Sequence, residues 1–346
     1  MASGDQKKSL TQPPGSLKEA VDWVLCISGY DDSRHYQKGK DTIKVLAMQL
    51  KSLLSTVRVE NVNVNTLLQG DLLKQSSKNA PIASLAGGVK ALIDKDNGMG
   101  NSYTYSCKVD DPSSNVDEKS AKMFLGMVPL LFFGLGFLFY MCRQNGGRWS
   151  GKKISNSPLK DFLEAVGFPI EQLSGGKPGY DAVSSGLAML PEFRIYESTP
   201  KTFPEYLSEV EKHSKRNLNS NPNYAPLGAL YLFTFKYLKT KNLITTSTTD
   251  DGIPLTENDI TTLLKQLGEA VKNIDTGTLI LLSSAYTNLA DAIDTAMKAP
   301  DPSADSSVAG PVTGTLATAG LLGGGSAVYF NVGGAKTLVN GLLNFR

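Results

Sequence analysis

The chain has 346 residues, which is enough for two globular units or for one large unit with appendages. Hydrophobic residues make up 41% of it and charged residues 20%, a balance typical of a folded protein rather than a disordered one. The formal net charge of +2, without any basic stripe, gives no basis for a nucleic-acid partner, and none is predicted.

Three cysteines, Cys26, Cys107 and Cys142, are too few and too far apart for a disulfide framework. Their odd number leaves at least one free thiol or an intermolecular bond. Residues 1–15 lack the apolar core of a cleavable signal peptide and are predicted to be a disordered polar leader. This argues against ordinary secretion, although an anchor near the C-terminus could still insert late.

Helix signals follow along the chain. Ser16 and Glu19 have the spacing of a capping box, and Gly29 stands where a helix C-cap belongs, so a first helix is predicted to start at Ser16. Alternating Val-Asn-Val-Asn at residues 62–65 is the main strand signal. The predicted class is all-α, with a helical-bundle ectodomain over residues 16–300. Apolar residues at helical spacing predict further helices that begin near residues 41, 82, 158, 203, 226, 256 and 278.

Residues 123–142 form an uncharged, strongly apolar run. Its length and the basic residues that follow it suit a transmembrane span. The same run, which contains Pro129, also suits the central helix of a bundle that is buried on all sides. A second uncharged run lies near the C-terminus, from residue 308. Consecutive spans must alternate in direction, whereas both runs are followed by positive charge, so two spans here could not both obey the positive-inside rule. Both interpretations therefore stay open at this point. A sub-boundary of the ectodomain is placed just after the run, near residues 145–157.

The sequence offers little for catalysis. Residues 146–152 fit the Gly-x-x-x-x-Gly-Lys part of a phosphate-binding loop, but Lys153 stands where Ser or Thr would hold magnesium. A glycine-rich turn is the preferred interpretation. His35 and His213 lie far apart and have no further ligands at metal-binding spacing. No catalytic, cofactor-binding or metal-binding residue is therefore predicted, and the protein is predicted not to be an enzyme.

No Asp, Glu, Lys, Arg or His occurs from Val308 to Ala335. A bilayer core of about 30 Å needs roughly 20 apolar residues in a helix, so this run is long enough to cross it. Residues 308–330 are predicted to be a transmembrane helix, after a linker at 301–307 and before a short cytoplasmic tail at 331–346. The alternative is a flexible linker of Gly, Ala and Thr. Two Gly-x-x-x-Gly pairs would allow close packing on another membrane helix: Gly310 with Gly314, and Gly320 with Gly324.

Three motifs stand out when the chain is considered as a whole. The first, near the N-terminus, reads Pro-Pro-x-x-Leu-Lys-Glu-Ala-x-Asp-Trp-x-Leu and consists of Pro13, Pro14, Leu17, Lys18, Glu19, Ala20, Asp22, Trp23 and Leu25. The second, near the C-terminus, begins with Gly333, Gly334, Ala335 and Lys336 and runs to Leu343. The third joins Phe-Leu-Gly-x-x-Pro-Leu at 124–130 to a Gly-Gly-x-Trp turn at 146–149. Together these motifs resemble the variant erythrocyte surface antigen family of piroplasm (Babesia-type) parasites.

The resemblance implies a membrane-anchored antigen on the surface of infected erythrocytes, with antigenic variation and adhesion to a host-cell receptor. The membrane, and a paired antigen subunit bound through the transmembrane helix, would be its partners. Family members are usually much longer and carry cysteine-rich and coiled-coil portions, so this chain resembles a shortened member. In the family the Phe-Leu-Gly stretch lies inside the ectodomain, which favours a buried helix at 123–142. The alternatives are a polytopic membrane protein with a second span there and a soluble intracellular helical scaffold.

Overall fold

A computed structural model describes the following residues: 8–28, 36–68, 104–105, 116–144, 158–168, 190–194, 202–245, 256–274, 279–299, 328–332 and 335–339. The chain divides into two compact units, Met1–Ala299 and Pro300–Arg346. The described part of the first unit is mostly helical, as predicted for an all-α fold.

The described part of the first unit contains long helices joined to short single turns. Its α-helices are α1 Leu17–Ser28, α2 Tyr36–Leu53, α3 Val64–Leu67, α4 Glu118–Gln144, α5 Pro158–Ala165, α6 Phe203–Ser220, α7 Pro226–Thr240, α8 Glu257–Ile274 and α9 Ile280–Lys298. Short 3-10 turns lie at Pro191–Phe193 and Pro222–Tyr224. Helices predicted near 41, 158, 203, 226, 256 and 278 are confirmed, and the helix predicted from residue 82 lies outside the described residues.

Local capping residues explain where several helices begin and end. The Ser16 hydroxyl accepts from the backbone N–H of Glu19 at 3.2 Å, so the predicted start of α1 is confirmed. The Glu19 carboxylate accepts from the Gly15 N–H at 2.7 Å and not from that of Ser16, which completes only half of a capping box. At the start of α8 the Thr256 hydroxyl accepts from the Asp259 N–H at 3.2 Å. Gly167 follows α5 with φ +92°, a left-handed conformation that favours glycine.

Helix α4 occupies the centre of the first unit. It packs against α1, α2, α5, α6, α7, α8 and α9. Among the described residues it contains the one stretch long and apolar enough to cross a membrane, Glu118–Met141, and 89% of the most apolar part of that stretch is buried in the protein. A helix that is apolar on all sides is expected at the centre of a large bundle. The structure thus places residues 123–141 in the core, in keeping with the buried-helix interpretation.

Pro129 interrupts the backbone ladder of α4, and a side chain from α9 fills the interruption. The Tyr286 hydroxyl donates to the Gly126 carbonyl at 2.6 Å and accepts from the Leu130 N–H at 3.1 Å. These two backbone groups would bond each other in a regular helix. Proline inside a helix opens the ladder, and an inserted side chain is a recognised way to satisfy the freed groups. The interruption therefore lies where α9 can close it.

Helices α1 and α4 lie against each other in opposite directions. A Cβ atom built on Gly134 would come within 2.6 Å of the Leu17 side chain, so only glycine permits this approach. At the other end of the contact the rings of Trp23 and Phe124 stack with centroids 6.0 Å apart. Residues later in α1 therefore lie beside residues earlier in α4.

Two small features complete the described part of the first unit. Strands β1 (Arg58–Val59) and β2 (Val62–Asn63) form an antiparallel pair, with Val59 opposite Val62. The strand predicted at 62–65 is thus correct for its first two residues, whereas Val64 starts α3. The Asn63 side chain accepts from the Thr66 N–H at 2.9 Å and caps that helix, which ends the strand.

The second unit is described only in its last part. Strands β3 (Val328–Val332) and β4 (Ala335–Val339) form an antiparallel hairpin in which Val332 pairs with Ala335. Residues 328–330 were predicted to end the transmembrane helix, but they lie in β3, and β-branched and aromatic residues there suit a strand. Residues 308–327 of the predicted span lie outside the described residues, and so does the glycine series Gly310, Gly314, Gly320 and Gly324. A C-terminal transmembrane helix is therefore not shown.

Candidate functional site

The N-terminal motif forms a buried cluster at the side of α1. Its members Pro13, Pro14, Leu17, Lys18, Ala20, Asp22 and Trp23 are all buried, and Glu19 is half-buried. We call the polar part of this group the N-terminal polar cluster: Lys18, Asp22 and Thr104, with Lys8 and Glu19 beside them. Because most residues of the N-terminal motif are buried, their first role is to pack and hydrogen-bond within the protein.

The centre of the N-terminal polar cluster is the carboxylate of Asp22. One of its oxygens, Oδ2, accepts from the Lys18 ammonium one helical turn earlier. The same oxygen accepts from the backbone N–H and the hydroxyl of Thr104, at 3.0 and 2.9 Å. The other oxygen, Oδ1, has no hydrogen-bond partner. Asp22 therefore fastens a segment 82 residues away in sequence to α1.

The outer part of the cluster holds residues 8–15 on the helical unit. The Glu19 carboxylate accepts from the ammonium of Lys8 as well as from the Gly15 N–H. The Trp23 indole N–H donates to the Leu10 carbonyl at 2.8 Å, and Leu10 is buried. Residues 8–15 were predicted to belong to a disordered polar leader, but these bonds place them against α1. The bonding partners of residues 8–15 include Glu19 and Trp23 of the motif on α1. The composition of residues 1–15 does not display these contacts, and it therefore misled the prediction of disorder.

The chemistry open to this cluster is limited. Burial raises the pKa of Asp22, while the neighbouring Lys18 ammonium and the Thr104 donors act in the opposite direction. Both charged side chains are closed off from solvent and bonded to each other. A buried, hydrogen-bonded ion pair of this kind fixes one arrangement of the chain and offers no group to a substrate. The N-terminal polar cluster is therefore a structural fastening.

Cys26 on α1 forms a disulfide. Its partner is one of the two remaining cysteines, Cys107 and Cys142. Because α1 and α4 run in opposite directions, Cys26 lies beyond the Trp23–Phe124 contact, toward the start of α4. Cys142 stands 18 residues further along α4 than Phe124, about 27 Å at 1.5 Å per residue. Disulfides join Cα atoms about 4.4–6.8 Å apart, so Cys142 is out of reach.

An open cleft of ≈ 260 Å³ lies between α5 and α9. Its lining includes Asp161, Asn288, Asp291 and Thr295, together with alanines from both helices. Asp291 is exposed and lies 3.5 Å from the ammonium of Lys265. Because the side chains of both partners are more than half exposed, water screens this pair and it contributes little to stability.

The other residues considered in the sequence are not brought together. In the part of the chain that the structure describes, no group of three or more His, Cys, Asp or Glu side chains is placed to hold a metal ion. His213 contacts Asn217 on the same helix, and His35 and the loop at 146–152 lie outside the described residues. Gly333 and Gly334 also lie outside them, whereas Ala335 and Lys336 begin β4. Sequence reasoning missed Thr104, Glu192 and Tyr286.

The fold and the buried cluster together define a helical bundle with a fastened N-terminal segment. Comparison of the chain with protein-family models, with curated proteins and with solved structures finds no match.

Proposed function

We propose that this protein is a membrane-anchored surface antigen whose helical unit is displayed outside the cell and carries out no catalysis. The observation that carries the proposal is the disulfide of Cys26. Disulfides persist in oxidising surroundings such as cell surfaces and are rare where thiols are kept reduced. The terminal motifs that resemble the variant erythrocyte surface antigens support the same class, and with it display on infected erythrocytes and antigenic variation.

The burial of α4 supports a single anchor. If the apolar run of α4 belongs to the core of the displayed unit, the uncharged segment from Val308 onward is the remaining candidate for attachment to the membrane. Two consecutive spans that are both followed by basic residues could not both obey the positive-inside rule, whereas a single anchor followed by basic residues obeys it. The tail beyond the anchor, including Lys336, would then face the cytoplasm.

Two partners follow from this arrangement. The Gly310/Gly314 and Gly320/Gly324 pairs would pack against the membrane helix of a second antigen subunit, because glycine lets two backbones approach closely. Adhesion to a host-cell receptor would use the exposed helix surfaces of the unit before Ala299, through non-covalent contacts.

Protease protection on intact infected erythrocytes tests the topology. We expect an N-terminal tag to be digested from outside while a C-terminal tag survives until the cells are lysed. A matched control that ends at Asp305 lacks the proposed anchor, and carbonate washing should release it from membranes while the full chain stays bound. If both tags stay protected on intact cells and the full chain washes off the membranes, the surface-antigen proposal is wrong.

A second candidate is a polytopic membrane protein, and the length and apolar character of Glu118–Met141 favour it. It predicts that both tags lie on the same side of the membrane, because two spans return the chain to its starting side. It also predicts that the control ending at Asp305 stays in the membrane fraction. A soluble intracellular helical scaffold, in contrast, predicts that the full chain and the control are both found in the aqueous fraction.

A further inference from the structure

Glu192 is a carboxylic acid in the core, and no cation from the described residues pairs with it. It lies in the 3-10 turn Pro191–Phe193, and its relative exposure is 0%. Its oxygen Oε1 accepts from the backbone N–H groups of Leu227 and Gly228, at 2.7 and 3.3 Å. These amides belong to the first turn of α7, where N–H groups have no partner within the helix. The second oxygen, Oε2, is buried and has no hydrogen-bond partner.

The turn around Glu192 is held by few other bonds. The Tyr206 hydroxyl on α6 donates to the Phe193 carbonyl at 2.9 Å. The Phe193 ring lies against α4, with its centroid 6.2 Å from that of Phe132. Among the described residues 190–194, the Glu192 carboxylate supplies the side-chain hydrogen bonds to α7, and its charge decides how favourable those bonds are.

The surroundings of Glu192 do not compensate a negative charge. Ionisable side chains on the elements packed against the turn include Tyr140 on α4, Tyr206, Glu211 and Lys215 on α6, and Tyr231 on α7, and Arg194 adjoins Glu192 in sequence. Lys215 pairs with Glu211 at 3.1 Å, and Arg194 is exposed. The influences on the Glu192 carboxyl are burial and backbone hydrogen bonds, with no charged neighbour among them. An ionised carboxylate is costly in such a place, whereas the neutral acid is tolerated.

We propose that Glu192 is a proton-operated latch, which holds residues 190–194 on the start of α7 when it is protonated and releases them when it is ionised. The two amides that it bonds remain good donors to a neutral carbonyl oxygen, so the closed state keeps its hydrogen bonds after protonation. Ionisation favours the open state because the carboxylate is then reached by water. The latch would respond to pH near neutrality and would act wherever the protein resides.

The direction and size of the response follow from proton linkage. Burial raises the pKa of Glu192 from 4.5 to about 7 in the closed state. A raised carboxyl pKa stabilises the closed state below 4.5, and this stabilisation is lost as pH rises through about 7. With these two values, the equilibrium constant for opening rises about 70-fold between pH 5 and pH 8.

Amide hydrogen exchange of the full chain, measured from pH 5 to pH 8 and corrected for the intrinsic rate, tests the latch. Peptides that cover residues 190–194 and 226–231 should lose protection by about 70-fold across this range. In Glu192→Gln the same peptides should show a flat profile, because the amide keeps an acceptor and cannot ionise. Glu269→Gln is the matched control, since the Glu269 side chain is 71% exposed, and it should behave as the wild type.

Three outcomes would overturn the latch. The first is a wild-type protection that does not change with pH at residues 190–194 and 226–231. The second is a Glu192→Gln profile that falls in parallel with the wild type. The third needs no variant: if peptides from α8 lose protection by the same factor, the pH effect is global unfolding and not a local release. This internal comparison also covers the case in which the Gln variant fails to fold.

Discussion

Removal of one hydroxyl should weaken the protein at the point where α9 completes α4. In Tyr286→Phe the Gly126 carbonyl and the Leu130 N–H both lose their partner inside the core. A buried backbone group left unsatisfied costs about 1–3 kcal/mol. The two freed groups can recover part of this by moving toward each other, although the Pro129 ring limits that movement. We expect the free energy of unfolding to fall by about 2–4 kcal/mol.

Urea denaturation followed by far-ultraviolet circular dichroism measures this change. Tyr231→Phe is the matched control, because Tyr231 lies in the same core and its hydroxyl has no hydrogen-bond partner. The Tyr231 ring stacks on Phe132 with centroids 4.0 Å apart, and phenylalanine keeps that contact. The control should therefore change stability by less than about 1 kcal/mol. If Tyr286→Phe costs no more than the control, the hydroxyl does not close the interrupted helix and the reasoning fails.

Three further predictions use the same denaturation assay or a chemical label. Asp22→Asn should cost about 3–5 kcal/mol, because it removes the negative charge that pairs with the buried Lys18 ammonium, and a cost below 1 kcal/mol would contradict a buried pair. Gly134→Ala should cost about 1–3 kcal/mol by overpacking against Leu17, and an unchanged midpoint would show that the two helices are further apart. In guanidinium without reductant, iodoacetamide should label Cys142 as the free thiol, and a label elsewhere would contradict the antiparallel arrangement of α1 and α4.

The helical class and most of the helix positions follow from local signals. Ser16 and Thr256 carry hydroxyls that accept from the first turn of a helix, and Gly167 accepts a backbone conformation that other residues avoid. These effects act within four residues, so a single sequence displays them. The apolar run at 123–142 could not be resolved in the same way. Hydropathy shows only that a helix is stabilised by leaving water, and both a lipid bilayer and a protein core provide such surroundings.

The functional residues that were missed depend on contacts between distant parts of the chain. Tyr286 bonds backbone atoms 156 and 160 residues away, and Thr104 bonds Asp22 across 82 residues. Glu192 stands in a short Pro-Glu-Phe stretch, where a glutamate ordinarily faces solvent. The N-terminal motif was recognised, but its buried ion pair was not, because Lys18 and Asp22 one turn apart are normally read as a surface pair.

The closure of α4 by Tyr286 has a consequence for biosynthesis. A ribosome finishes α4 about 140 residues before it reaches Tyr286. At 5–20 residues per second this interval lasts roughly 7–30 s. During that time α4, the most apolar of the described helices, has α1 and α2 beside it but still lacks the cover of α9 and the hydroxyl that completes its backbone. The translocon is able to insert a segment of this length and hydropathy. Insertion of α4 into the membrane therefore competes in time with the packing of α9 on α4. Slow translation after α4 would therefore divert nascent chains into the bilayer, and a chaperone that shields α4 would protect the yield of folded protein.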